Sequence, residues 1–307
     1  MTTQTHLHSW AWALVCFLLG HSFAFVSPAD TPDITYRRTV SEVRLTFFAT
    51  DEHNRNLDSL TKTDFAVVDN ELIVRDFRSF SRSDATGLDV TVLVDSSDSV
   101  QPQCKQEIAN VLDLLSEAHW QPADRISVLS FAGMQPKIIC SGDCRGPAVA
   151  DRLFARSQGG MTPLYDAVVF SSDFVSRRRA PDVRPVLILF SDGNDTISRN
   201  SAADALQSAL TAEAQIYTVD LSNPKSLPQG SALLQKMADA TGGRYFHIHD
   251  GATQVLSAVI DDLYAAYMVT YALPSGEAGL HSVRILPTHN LNLRFRSRQS
   301  YYQGGTH

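Results

Sequence analysis

The stretch LDVTVLVDSSDSV, residues 88–100, decides the reading of the chain. Val90 to Val94 is a short, mostly apolar run, the pattern of a central parallel strand covered on both faces. It ends abruptly in Asp95, Ser97 and Ser99, a DxSxS loop at the strand's carboxyl end. Three more runs of the same kind follow: Ile126 to Phe131, Val186 to Phe190 and Ile216 to Val219. Between them Ile108, Val111, Leu112 and Leu115 share a helical face. So do Leu164, Ala167, Val168 and Ser171, and again Leu233, Leu234, Met237 and Ala238 before a stop at Thr241-Gly242-Gly243. Strands alternating with helices predict an α/β domain with a doubly wound, mostly parallel sheet over residues 87–265.

The flanks read differently. Val43, Leu45, Phe47 and Ala49 alternate with Glu42, Arg44 and Thr46, as a half-buried strand does. After the polar turn Asp51 to Asn56, the segments Phe65 to Val68 and Leu72 to Phe77 read as a hairpin around Asp69-Asn70. Downstream, Met268 to Ala272, Ser282 to Leu286 and Leu291 to Arg298 return to β character. In the last of these Leu291, Leu293 and Phe295 alternate with Asn292, Arg294 and Arg296, whose arginines read as a solvated face rather than an anion site. Arg177 to Arg179 close a helix ahead of Pro181. One hairpin and one strand offer too little apolar face to be stable alone. Residues 25–86 and 266–307 are therefore expected to pack as one small flanking β domain built from both termini, with the α/β domain inserted between them.

A chain of 307 residues with 44% hydrophobic and 19% charged residues excludes disorder, collagen and coiled coil as its class. With 26 Lys and Arg against 33 Asp and Glu, nothing suggests a nucleic-acid partner. Trp10 to Leu19 is apolar and Ser22-Phe23-Ala24 resembles a cleavage site, so residues 1–24 are expected to be a signal peptide and the protein periplasmic or secreted. Residues 1–9 lack Lys and Arg, which keeps an uncleaved anchor or a mis-assigned start open. No second run is long enough to span a membrane. Cys16 falls in the apolar run, leaving Cys104, Cys140 and Cys144, of which at least one must be free or intermolecular. The local pair in CSGDC is the natural bridge, although Cys104 with either partner is possible. A zinc site would need a His near them and a fourth ligand, and neither is evident.

Two further segments bear on chemistry. GGMTPLYDA, residues 159–167, places Thr162 at an expected helix N-cap with Pro163 at the first helical position. LILFSDGND, residues 187–195, sets Asp192 directly after a second buried strand. Residues far apart in sequence thus converge on the carboxyl edge of one sheet, where open α/β folds bind ligands.

DxSxS, then Thr after Gly-Gly, then Asp in Ser-Asp-Gly resembles the metal-ion-dependent adhesion site of von Willebrand factor type A domains. The likeness extends to an exported bacterial branch of that family. There the β lead-in is similar to LTKTDFAVVDNELIVRDFRSF, residues 60–80, the domain end to ATGGRYF, residues 240–246, and the β tail to RSRQSYY, residues 296–302. The resemblance implies direct coordination of Mg2+ (or Mn2+ or Ca2+) by Ser97, Ser99 and, with a ligand engaged, Thr162, with Asp95 and Asp192 acting through bound waters. It implies a non-enzymatic module that binds a protein partner through that partner's Asp or Glu. The physics agrees: a hard cation wants six oxygens, and three neutral hydroxyls leave it under-neutralised, so an incoming carboxylate gains.

Asp98 stands between the two serines, where related sites often carry Gly; it either tightens the metal and repels an acidic ligand, or points outward or caps a turn, as Asp195 also could. His247 and His249 could share a transition metal, but no third ligand is evident and strand-end histidines are the better account. The rival function is a metal-assisted phosphatase or hydrolase using Asp95, since an Asp after a first parallel strand also marks aspartyl-phosphate enzymes. Ser97, where such enzymes place a second Asp, argues against it.

Overall fold

The structure is a computed structural model describing residues 42–82, 86–100, 102–145, 148–156, 160–180, 182–223, 229–274 and 278–303. The expected signal peptide, residues 1–24, lies outside the described residues. Among the described residues no helix is long and apolar enough to cross a membrane.

At the centre is a six-stranded sheet of β5 (Gly87–Asp95), β6 (Arg125–Phe131), β7 (Lys137–Cys140), β8 (Val183–Ser191), β9 (Gln215–Asp220) and β10 (Tyr245–His247), in the order β10-β9-β8-β5-β6-β7. All neighbours are parallel except β7, which pairs antiparallel with β6. The sheet is thus mixed, and the short edge strand around Ile138 and Ile139 was not evident in the sequence. Every residue of β5 and β9 is buried, as strands covered on both faces are.

Helices cover both faces. α1 (Pro102–Glu117), α2 (Ala148–Arg156) and α6 (Ala252–Tyr264) bury Ile108, Leu153 and Val259 against Val90, Val92 and Val94. α3 (Leu164–Ser176), α4 (Ala202–Thr211) and α5 (Gln229–Thr241) bury Val168, Ala209 and Met237 against Leu93, Leu187 and Leu189. Cys140 and Cys144 form a disulfide, which removes their sulfurs from any zinc site, and Cys104 is a buried free thiol on α1.

The remaining strands form two four-stranded sheets. β1 (Glu42–Thr50) lies between β11 (Tyr267–Ala272) and β13 (Arg294–Ser297), with β4 (Phe77–Arg82) beyond β11. β12 (Gly279–Pro287) lies between β2 (Phe65–Asp69) and β14 (Ser300–Gln303), with β3 (Leu72–Val74) beyond β2. Strands from the two ends of the chain pair directly, Leu45 opposite Val269 and Val67 opposite Ile285. Both sheets contribute to one core in which Phe47 meets Phe65 at 5.0 Å between ring centroids and Phe80 stacks on Tyr267 at 5.6 Å.

Three local expectations are corrected. The hairpin turns at Asn70-Glu71, both at positive φ, and not at Asp69-Asn70. Asp69 belongs to β2, where its buried carboxylate accepts hydrogen bonds from Tyr271 at 2.8 Å and Tyr301 at 2.6 Å. The segment Leu72 to Phe77 is not one strand: β3 ends at Val74, and Phe77 opens β4 in the other sheet. Finally, Leu291 to Arg298 is not a strand throughout, because β13 begins only at Arg294 and Leu291 is 78% exposed in the preceding turn.

Candidate metal centre

β5 and β8 are hydrogen-bonded neighbours in register, so the loops that leave their carboxyl ends are adjacent. The chain reverses its direction across the sheet at β5, and such a switch point opens a crevice at the strand ends. Asp95 is the last residue of β5 and is 1% exposed. Its Oδ1 accepts the Ser97 backbone N–H at 3.0 Å and its Oδ2 the Ser191 hydroxyl at 2.9 Å, which ties the first loop to β8. The Ser97 and Ser99 hydroxyls lie 3.0 Å apart. Asp192, the first residue after β8, is nearly buried and accepts the Asn194 backbone N–H at 3.0 Å.

Thr162 comes from a third loop, knotted to both others. The Asp98 backbone N–H donates to the Gly160 carbonyl at 3.1 Å. The Thr162 backbone N–H donates to the Thr196 hydroxyl at 2.7 Å, and the Thr162 carbonyl accepts from the Thr196 backbone at 2.9 Å. All five sequence-predicted residues therefore stand on three loops closed into one hydrogen-bonded ring. Ser97 and Thr162 are buried and Ser99 is exposed.

One local expectation fails. Thr162 is not the N-cap of α3: the helix begins at Leu164, Pro163 is its N-cap, and no side chain of that residue caps it. The cap is supplied from another loop. Asp195 accepts the Tyr165 backbone N–H at 3.3 Å, and the Ser198 hydroxyl accepts the Asp166 N–H at 3.1 Å. Asp166 answers by accepting the backbone N–H groups of Arg199 at 3.1 Å and Asn200 at 2.9 Å. These partners lie 30 or more positions apart, and no local sequence signal announces such a cap. Asp195 therefore fastens two loops together, while Asp98 is exposed.

Electrostatics favours a cation. Burial, opposed by hydrogen bonds from Ser97 and Ser191 and reinforced by the Asp192 charge, pushes the Asp95 carboxyl up to about 6. A buried carboxylate beside a second carboxylate is an uncompensated negative charge, and three hydroxyls with two carboxylates form an all-oxygen donor set suited to a hard divalent ion. Among the described residues no three His, Cys, Asp or Glu side chains converge on a possible metal position, so any ion here depends on the hydroxyls. The rings of His247 and His249 stack 5.0 Å apart, and among the described residues no third His, Cys, Asp or Glu joins them to hold a metal.

A doubly wound α/β domain with this hydroxyl-rich rim defines the class. The chain belongs to the von Willebrand factor type A domain family, whose model matches residues 89–261. No curated protein matches the chain. Among solved structures, an aerotolerance-related membrane protein from Bacteroides fragilis is 16% identical at a TM-score of 0.43, covering 58% of this chain and 98% of that one. Proximal thread matrix protein 1 from the mussel byssus is 16% identical at a TM-score of 0.47, and 63% of this chain covers 49% of that one. A second structure of the mussel protein, with the same scores, has zinc in its metal-ion-dependent adhesion site.

Proposed function

We propose that the chain is an exported, non-enzymatic interaction module that captures an Asp or Glu of a protein partner through a divalent cation, Mg2+, Mn2+ or Ca2+. Ser97, Ser99 and Thr162 would hold the ion through their hydroxyls, with the Asp95 and Asp192 carboxylates supplying the negative charge beside it. The observation that supports this reading is the hydrogen-bonded ring of three loops at the switch edge, on which these five residues stand beside the buried Asp95 carboxylate. The cation supplies the Lewis acidity. The protein's own groups fix its place and leave it short of negative charge, so that a partner carboxylate completes the site.

The rim suits a protein partner. Met134 and Met161 are 69% and 54% exposed on neighbouring loops joined by the Gly133 N–H donating to the Met161 carbonyl at 2.7 Å. Flexible, polarizable thioethers beside a charge site give apolar contact around the captured carboxylate. The hydrolase reading is weakened because Asp95 is buried with both oxygens engaged by the protein, whereas a nucleophile needs an approach path. We read the two four-stranded sheets as one small β domain built from both termini, a rigid mount for the inserted module.

The test is capture from an envelope extract on immobilised protein with Mg2+. Partner release by chelator, and no capture by Asp192→Ala, is the expected result. Capture that is equal with chelator throughout would overturn the proposal.

A further inference from the structure

The opposite end of the α/β domain holds an unusual set of charges. Arg184, at the start of β8, and Arg298, between β13 and β14, are only 6% and 8% exposed. They line one cavity together with Arg44 of β1, Arg179 and Glu213. Four guanidinium groups thus face one carboxylate. Glu213 is itself committed to Arg179 at 2.7 Å and reaches Arg298 only at 4.0 Å. Among the described residues Arg44 and Arg184 have no ion pair; Arg184 is held by the Gln215 side-chain oxygen at 3.2 Å and by the Leu263 carbonyl. Arg298 donates to the Arg44 carbonyl at 2.7 Å.

Two buried donors remain unmet. The Nε–H groups of Arg184 and Arg298 are buried and have no hydrogen-bond partner among the described residues. A buried guanidinium without a counter-ion is costly, and a buried unpaired N–H adds to the cost, so native structures keep such groups where something meets them. Burial also depresses the basicity of both arginines, the mark of a positive charge that its surroundings do not fully compensate. The cavity measures about 30 Å³. On a scale where one water needs about 10–15 Å³, that space holds about two oxygen-sized atoms, so an anion would seat two of its oxygens there and keep the rest at the mouth.

We propose that this cavity binds a small oxyanion, a phosphate-like group, between Arg44, Arg184 and Arg298. Planar guanidinium forks match such oxygens geometrically. The cavity joins β1 to the starts of β8 and β9, so the anion fastens the terminal β sheets to the α/β domain at the end away from the metal centre.

Inorganic phosphate titrated calorimetrically into the metal-free full chain, at constant ionic strength set with chloride, tests this. One saturable site is expected, unchanged in Asp192→Ala, weakened at least tenfold in Arg184→Gln and tightened in Glu213→Gln, where the competing carboxylate is gone. Should Arg184→Gln fail to fold, the half-buried Arg44→Gln reads out the same loss. Absence of saturable binding to the wild-type chain, or equal affinity in wild type, Arg44→Gln and Glu213→Gln, overturns the proposal.

Discussion

Asp95 sets the chemistry of the candidate metal centre because it is charged where charge is disfavoured. Its carboxyl, raised from 3.8 to about 6, holds its proton more tightly folded than unfolded. The metal-free protein therefore bears a penalty above pH 6 that vanishes as pH falls through the window from 6 to 4, worth roughly 3 kcal/mol at full extent. Asp95→Asn should accordingly raise the urea-derived stability of the metal-free protein at pH 7.5 by about 1–3 kcal/mol and change it little at pH 4. Mg2+ should stabilise the wild type at pH 7.5 and progressively less below pH 6, where protons compete for the carboxylate. Equal effects of the variant at both pH values would mean that Asp95 is not the buried charge described. At this scale much was legible: Asp95 follows an apolar run directly and Asp192 follows another after one serine, so their place at strand ends could be read from order alone. Arg184 was not legible, since a charged residue inside a strand carries no mark of what it faces.

At the scale of elements, the loops are held by contacts between segments. Asp195 lends its carboxylate to the first turn of α3 and so fixes the Thr162 loop against the Asp192 loop. Asp195→Ala should cost about 1 kcal/mol, as the loss of a helix cap does, and weaken metal affinity about tenfold without removing a ligand. An isothermal titration beside a denaturation curve checks both. Gly193 is a second fastening: it sits at φ +77°, and a Cβ there would lie 2.3 Å from the Gly230 carbonyl. Gly193→Ala should lower stability by more than the roughly 1–2 kcal/mol of the left-handed conformation alone, since either the Asp192 turn or the start of α5 must also move. Periodicity revealed the interiors of the helices but not these joints. Thr162-Pro163 carried the usual N-cap signal and was overridden by a cap 30 or more positions away. The register of the Asn70-Glu71 turn was ambiguous because Asp69 and Asn70 are equally good turn formers, and only the tyrosines facing Asp69 decide it.

On the scale of the molecule, the ends of the chain matter more than their length suggests. β11, β12 and β13 supply partners to β1, β2 and β4, and Tyr267, Val269 and Ile285 fill the core around Phe47 and Phe65. Deleting residues 267–307 should strip protection from the amides of residues 42–82 while the central sheet stays protected, with hydrogen exchange as the readout. Persistent protection of β1 and β2 in that truncation would show that the N-terminal strands stand alone. The alternation of strand and helix made the central sheet readable, because each buried strand is a short, mostly apolar run. The pairing of terminal strands was an inference from insufficient apolar face, and their order within the two sheets had no sequence signal, since short amphipathic strands pair equally well in several orders.

The claim on which the functional reading stands is that Ser97, Ser99, Thr162, Asp95 and Asp192 hold one divalent cation. Calorimetric titration of Mg2+ and Mn2+ into wild type, Ser97→Ala and Asp192→Ala, each verified as folded by circular dichroism, measures it most directly. One saturable site in wild type and none in either variant is the predicted result. Unchanged affinity in the two folded variants, or no binding to wild type, would contradict the account.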